Sequence, residues 1–401
     1  MSEQRQQNKN PQNPKRPNKR IRLAVTIIVI ATIICCVFWK IGLWNLQSVD
    51  EQLAAIEATR AIPDSENAAT IYRQLLQDPN ATSLLDYRPA FLDDDSDNLT
   101  FRQPWSGKDF PQLGAWLKEQ QPVIDRLFKA SKFDKCRFPI AIAALPDHLT
   151  AMRKWTFLLK RAGNNDIGEG RIDDAIDKWR CLVQIGNHLR QQPLFDAHLV
   201  AFAIEAVALN QTVVFLGEGN ANERHLCEIE TFSLHTEDDW AAVLEEILPA
   251  EQVAEQKMKQ KFGLVERIKY EFGYGFFASV KDRDLDKIRR QYRALVAISR
   301  GVHILVALRR YKNEQGRWPR SLDAIQSQVP ARMLIDPFNN SSFVYRLTDD
   351  SFSLYSKGKN KIDENGKYKG GCDDWPIWPP RGRESKSKDG DADSAKASMS
   401  E

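Results

Sequence analysis

Residues 194–217 read LFDAHLVAFAIEAVALNQTVVFLG, apolar almost all round and long enough to cross a bilayer. Roughly 20 residues at about 1.5 Å each span a hydrocarbon core. Against insertion stand Asp196, His198, Glu205 and Asn210. An ionised side chain at the bilayer centre costs about 2.5–3.5 kcal/mol. The stretch therefore reads as the central core helix of a helical domain rather than a second membrane span, and this makes the chain a single-pass one.

Outward from that helix the apolar residues recur at helical spacing. The clearest pair of helices covers about 148–165 and 171–190, and the second begins GRIDDAIDKW. Gly170, Ile172, Ala175, Ile176 and Trp179 stand at the spacing of the second helix of a tetratricopeptide repeat, and Gly163 suits its first helix. The stretch resembles such a helical hairpin. It departs from the repeat at Leu182, where a small residue is usual, and at Asp166, where an aromatic is usual. Only one unit is visible, whereas a solenoid needs about three.

Further helices are expected at about 49–59, from Asp64 or Ser65 as an N-cap through Leu76, at 113–131, at 236–260 and at 284–313 ahead of Gly316. The acidic run DDDSDN at 93–98 reads as a solvated loop. An EF-hand loop starting at Asp94 needs Gly and Glu at its sixth and twelfth positions, where Leu99 and Trp105 stand. EFGYGFFASV at 271–280 reads as a packing loop interrupted by Gly273 and Gly275.

Residues 23–44, LAVTIIVIATIICCVFWKIGLW, form a second long apolar run. Its one charge, Lys40, lies near the end, beside Trp39 and Trp44, where a long stem and aromatic rings suit the interface. Arg5, Lys9, Lys15, Arg16, Lys19, Arg20 and Arg22 precede it against a single acid, Glu3. Asp50, Glu51 and Glu57 follow. The positive-inside rule puts the N-terminus in the cytoplasm and the bulk of the chain outside. No small-x-small cleavage site follows the run, so it reads as a transmembrane anchor in the lipid bilayer rather than a cleaved leader.

The text changes from Ile304 onward: ILVALRRYKNEQGRWPRSLDAI, then IDPFNNSSFVYRLTDDSFSLYSKGKN. Leu308 and Tyr311 are placed to pack a helix on a small sheet, Gly316 to stop it, and Asp336-Pro337 to turn the chain into a strand. Thr348-Asp349-Asp350 suits the loop of a hairpin formed around Tyr345 and Leu354. These elements resemble the C-terminal globular module of the type II secretion major pseudopilin. The resemblance implies a calcium-binding acidic loop after the last strand; the matching stretch is NKIDENGKYKGGCDDW, and Asp363, Asp373 and Asp374 are the ligands it implies. Lys359, Lys361, Lys367, Lys369 and Cys372 depart from that pattern. The N-terminal end departs further, with basic residues where a pseudopilin has a short leader and a Phe–Glu start, so a polymerising pilin subunit is not expected. As a whole the chain resembles single-pass planctomycete proteins that join a helical exported domain to a pseudopilin-like tail.

The expected fold is thus mainly α. It has a disordered basic head at 1–22, a transmembrane helix at 23–44, an exported helical domain at 47–300, a small α+β pseudopilin-like module with a β-hairpin at 301–378, and a disordered tail at 379–401. Net charge is +3, and the basic head supplies more than all of it. The exported part lacks the basic face that nucleic acid requires, so no nucleic-acid partner is expected. Cys136, Cys181, Cys227 and Cys372 allow either disulfides or buried thiols in an oxidising compartment. No metalloprotease, nucleophile-elbow, P-loop or dinucleotide motif occurs. Two functions follow: a non-catalytic interaction or scaffold protein of the bacterial inner membrane, with protein partners in the envelope, or an envelope hydrolase built on His148, His188, His198, Glu205 and Asp196.

Overall fold

A computed structural model describes residues 26–33, 35, 48–82, 89–140, 147–231, 239–260, 280–349, 351–368 and 370–380. The described chain is mostly helical and closes with one small three-stranded antiparallel sheet. Of the proposed anchor, residues 26–33 are helical and the side chains of Ile27, Ile28, Val29, Ile30 and Ile33 are exposed. The 1–22 head, the 271–279 part of the aromatic run and all of the expected 379–401 tail but Pro379 and Pro380 lie outside the described residues.

Helix α1 (Val49–Thr59) starts at a capping box: Glu51 N donates to Ser48 Oγ at 3.1 Å and Ser48 N donates to Glu51 Oε2 at 3.2 Å. Helix α2 covers Ala69–Leu76. Its start is not capped by Asp64 or Ser65, which belong to a 3-10 turn. Asn67 Oδ1 instead accepts from Ala69 N at 3.0 Å and from Arg137 N at 2.9 Å. A side chain that ties the helix start to a segment 70 residues away is invisible to local spacing. The acidic run at 93–98 is not a loop. Asp93 accepts from Ser96 N at 2.8 Å and opens helix α3 (Asp94–Arg102), whose first-turn acids suit the positive end of the helix dipole. The single helix expected at 113–131 is two, α4 (Pro111–Glu119) and α5 (Gln121–Ala130). Pro122 has no N–H for the carbonyl four residues back, and the chain restarts there.

The core pair is α6 (Asp147–Gly168) and α7 (Ile172–Arg190), followed by α8 (Phe195–Glu218). Helix α8 has the length and hydropathy of a membrane span, but two thirds of its apolar window is buried against α6, α7 and helix α11 (Val280–Gln315). Asp166, the residue out of place for a tetratricopeptide hairpin, is buried and joins Arg171 at 2.8 Å and Lys178 at 2.5 Å across the α6–α7 turn. Helices α9 (Glu223–Glu230) and α10 (Asp239–Gln260) complete the helical part.

The division placed between residues 300 and 301 falls inside α11, and one continuous core runs through both sides of it. Arg309 of α11 donates to the carbonyl of Leu216 at 2.8 Å and so satisfies an acceptor that the end of α8 leaves open. Beyond Gly316 (φ 69°), Trp318 is packed at 4.6 Å from Phe352, with Arg309 and Lys312 over its ring.

Strands β1 (Val344–Leu347) and β2 (Phe352–Ser356) form the expected hairpin, with Tyr345 opposite Leu354. Beyond the expected hairpin the sheet has a third strand, β3 (Trp375–Trp378), antiparallel to β2. Two helix glycines make room for it. A Cβ on Gly301 of α11 would stand 2.6 Å from Ile377 Cγ2, and one on Gly217 of α8 would stand 2.4 Å from the Trp378 ring. The C-terminal strand is therefore clamped onto the helical core through the absence of two methyl groups.

Candidate metal centre

The chain between β2 and β3 folds back on itself at Gly358 (φ 63°), Asn365 (φ 60°) and Gly366 (φ 77°). A Cβ on Gly358 would meet the Asp373 carboxylate at 2.3 Å, so only glycine fits both the angle and the space. The turn at Asn365-Gly366 carries Glu364 back to the end of the loop. There the carboxylates of Glu364, Asp373 and Asp374 converge, with one oxygen from each lying within 4.8 Å of the others.

Main-chain N–H groups hold this arrangement. Asp373 Oδ2 accepts from Lys359 N at 2.8 Å and Asn360 N at 3.1 Å. Asp374 Oδ2 accepts from Glu364 N at 2.9 Å and Gly366 N at 2.7 Å. Glu364 Oε2 accepts from Asp373 N at 2.8 Å. Each carboxylate thus spends one oxygen on the backbone. The other oxygens of Asp373 and Asp374, both Oδ1, are buried with no partner, and Asp374 itself is fully buried. Burial, followed by the nearby Glu364 and Asp363 charges, pushes the Asp374 carboxyl above its usual range. Two orphaned anionic oxygens among three carboxylates match the oxygen-only donor set of a hard divalent cation.

Asp363, the first ligand that the family resemblance implies, is exposed and already engaged. Arg346 donates to it at 2.7 Å and Tyr355 Oη at 2.8 Å. Glu364 takes its place in the cluster and was missed by the sequence reading; the Asn-Gly turn right after it was the available signal. Lys359, Lys361 and Lys367 are exposed, and Lys359 contributes its backbone N–H. Lys369 lies outside the described residues.

Of the histidines and acids of the helical core, His148, His188 and Asp196 go to separate surroundings, whereas buried His198 and Glu205 lie together around Arg190. His188 accepts from Tyr72 Oη at 2.9 Å through Nδ1 and donates from Nε2 to the carbonyl of Phe133 at 2.7 Å, which fixes its neutral tautomer. His148 stacks on Phe138 at 3.9 Å. His198 lies edge-on to Phe202, and Glu205 forms an ion pair with Arg190 at 3.0 Å. Asp196 is exposed. Burial lowers the pKa of His148, His188 and His198 to about 4. Cys136, Cys181, Cys227 and Cys372 are free thiols, and burial raises Cys136 and Cys181 to about 12, far from the reactive thiolate range.

Comparison with known proteins gives no match: no family model, curated protein or solved structure is similar to this chain.

Proposed function

We propose that the chain is a membrane-anchored, non-catalytic interaction protein of the bacterial cell envelope, whose C-terminal module is organised by a calcium ion. The observation that carries the reading is the convergence of Glu364, Asp373 and Asp374 with two buried, unpartnered oxygens. A cation there joins the β2 end of the loop to the start of β3, and so fixes the exposed loop surface around Ile362 and Tyr368 in one shape. The run at 23–44 supplies the bilayer tether, with the N-terminus cytoplasmic. Against the hydrolase reading, His188 is spent on hydrogen bonds, His148 on a ring stack, and Asp196 faces solvent, so that of the five residues only His198 and Glu205 stay together, around Arg190.

The test has two arms. Melting of the full chain in detergent is compared in calcium and in chelator. At a hundredfold excess over Kd, calcium adds about 2.7 kcal/mol. Asp374→Asn should abolish the difference, and equal melting of the unmodified chain in both buffers removes the metal. Crosslinked pull-down of C-terminally tagged protein from native membranes should return a reproducible set of envelope proteins that shrinks in chelator. A partnerless result refutes the interaction role.

A further inference from the structure

Helix α8 is apolar almost all round, and such a helix is stable only where its whole surface is covered. One stripe of it is not. Ala206, Val207, Asn210 and Val214 recur at helical spacing and are only half-buried. The amide of Asn210 donates to Ala206 O at 2.7 Å, back onto its own helix, and so adds little polarity to the stripe. These four side chains line part of a cleft of about 1000 Å³. Ile298 of α11 and Trp375 and Pro376 of β3 also line it and add apolar surface.

From α3 and α6 the same cleft receives two cations, Arg102 and Lys160. Among the described residues neither side chain has a carboxylate or carbonyl partner. Arg102 is exposed and Lys160 half-buried. The Lys160 ammonium rests on the face of Phe101, 3.8 Å from the ring centre. Burial, and then repulsion from Arg102 and Arg161, lowers its pKa to about 8, so this ammonium lies close to like charge with no anion against it. The acids of the lining are engaged elsewhere. Asp97 is paired with Arg161, and Glu218 has an interaction of its own. Free cations beside an uncovered apolar stripe are the two halves of a site for an anionic amphiphile.

We propose that this cleft binds a fatty acid, with its carboxylate held by Lys160 and Arg102 and its acyl chain laid along the α8 stripe. The carboxylate offers lone pairs to the ammonium and to a guanidinium fork that can take it bidentately. From Ala206 to Val214 the stripe is about 12 Å long at about 1.5 Å per residue. It is one side chain wide, so it takes a single chain of medium length and not the two of a diacyl lipid. A fatty alcohol leaves both charges unpaired, and an alkylammonium is repelled by them. The chain's own tail continues from Pro380, which also lines the cleft, but RGRESKSKDGDADSAKASMSE has no run of apolar side chains to lay on the stripe.

The test uses the full chain in phosphatidylcholine nanodiscs, titrated calorimetrically with decanoate, decan-1-ol and decyltrimethylammonium. Empty nanodiscs give the reference for partition into the lipid. Decanoate should saturate at one molecule per chain and bind at least about tenfold more tightly than the other two, the worth of one charge-assisted hydrogen bond. Lys160→Gln and Arg102→Gln should each weaken decanoate by about tenfold and leave decan-1-ol unchanged. Val207→Trp fills the stripe and should weaken decanoate and decan-1-ol alike. Similar affinity for the three probes, or undiminished decanoate binding in both Lys160→Gln and Arg102→Gln, would overturn the proposal. Loss of decanoate binding in phosphatidylglycerol nanodiscs would make a diacyl lipid the occupant. Much tighter decanoate binding once residues 381–401 are removed would make the tail the occupant. Either result also overturns it.

Discussion

Gly301→Ala sets a local preference against a tertiary contact, and the two have opposite signs. In mid-helix, alanine is favoured over glycine by about 1 kcal/mol. The added methyl would stand 2.6 Å from Ile377 Cγ2 and 2.9 Å from Cδ1. Carbon contacts settle near 3.5–4.0 Å, so β3 has to retreat by about an ångström. It has little freedom to do so. Ile377 is 2% exposed, and the neighbouring Trp378 is seated against Gly217 in the same manner. Overpacking costs about 1–3 kcal/mol, and a 2.6 Å contact against a seated strand belongs in the upper part of that range, about 2–3 kcal/mol, which leaves a net loss of about 1–2 kcal/mol and, for a chain of this size, a melting drop of about 1–3 °C. The assay is urea unfolding of the full chain followed by circular dichroism, closed into a cycle with Ile377→Ala. Alone, Ile377→Ala should cost about 2–5 kcal/mol; combined with Gly301→Ala it should cost at least about 1 kcal/mol less, since the two side chains share one space. If Gly301→Ala is as stable as the unmodified chain or more so, β3 does not lie on α11 and the clamp is wrong. Gly163→Ala, whose methyl meets nothing closer than 3.4 Å, is the contrast and should stabilise by up to about 1 kcal/mol.

Three further outcomes are expected. His188 and His198 are held neutral by burial, with pKa values lowered to about 4, below the unfolded value. Their stability contribution is complete above about pH 6.5 and is lost as pH falls toward 4, by ~2–3 kcal/mol per histidine; urea midpoints at pH 7.5 and 4.5 measure this, and His188→Gln should flatten the slope. Arg161 is 2% exposed and rests on Asp97 and Thr100. Asp97→Asn strands that charge and, because Asp97 is partly solvated, should cost about 1–3 kcal/mol, whereas exposed Asp95→Asn should stay within about 0.5 kcal/mol. Cys227 is an exposed free thiol, so a membrane-impermeant maleimide applied to intact spheroplasts should label it. Labelling only after lysis would place the helical domain on the cytoplasmic side and refute the topology.

The sequence by itself determined the helices whose apolar residues repeat with a clear period. The stretches at 49–59, 148–165, 171–190 and 194–217 were legible because side chains on one face must find a core, and that need is written locally. The β1–β2 hairpin was legible for the same reason, with polar residues between two apolar runs. Acidic character alone could not separate loop from helix at 93–98, where the cap Asp93 and the distant partner Arg161 decide the outcome. Nor could it rank Asp363 against Glu364, since the choice rests on Arg346 and Tyr355 reaching one of them from neighbouring strands. Only the tertiary structure placed β3 on α8 and α11 and joined the two halves of the chain into one core. Such features depend on pairs of residues far apart in sequence. A glycine that admits a strand and a glycine that weakens a helix are the same letter until the strand is in place.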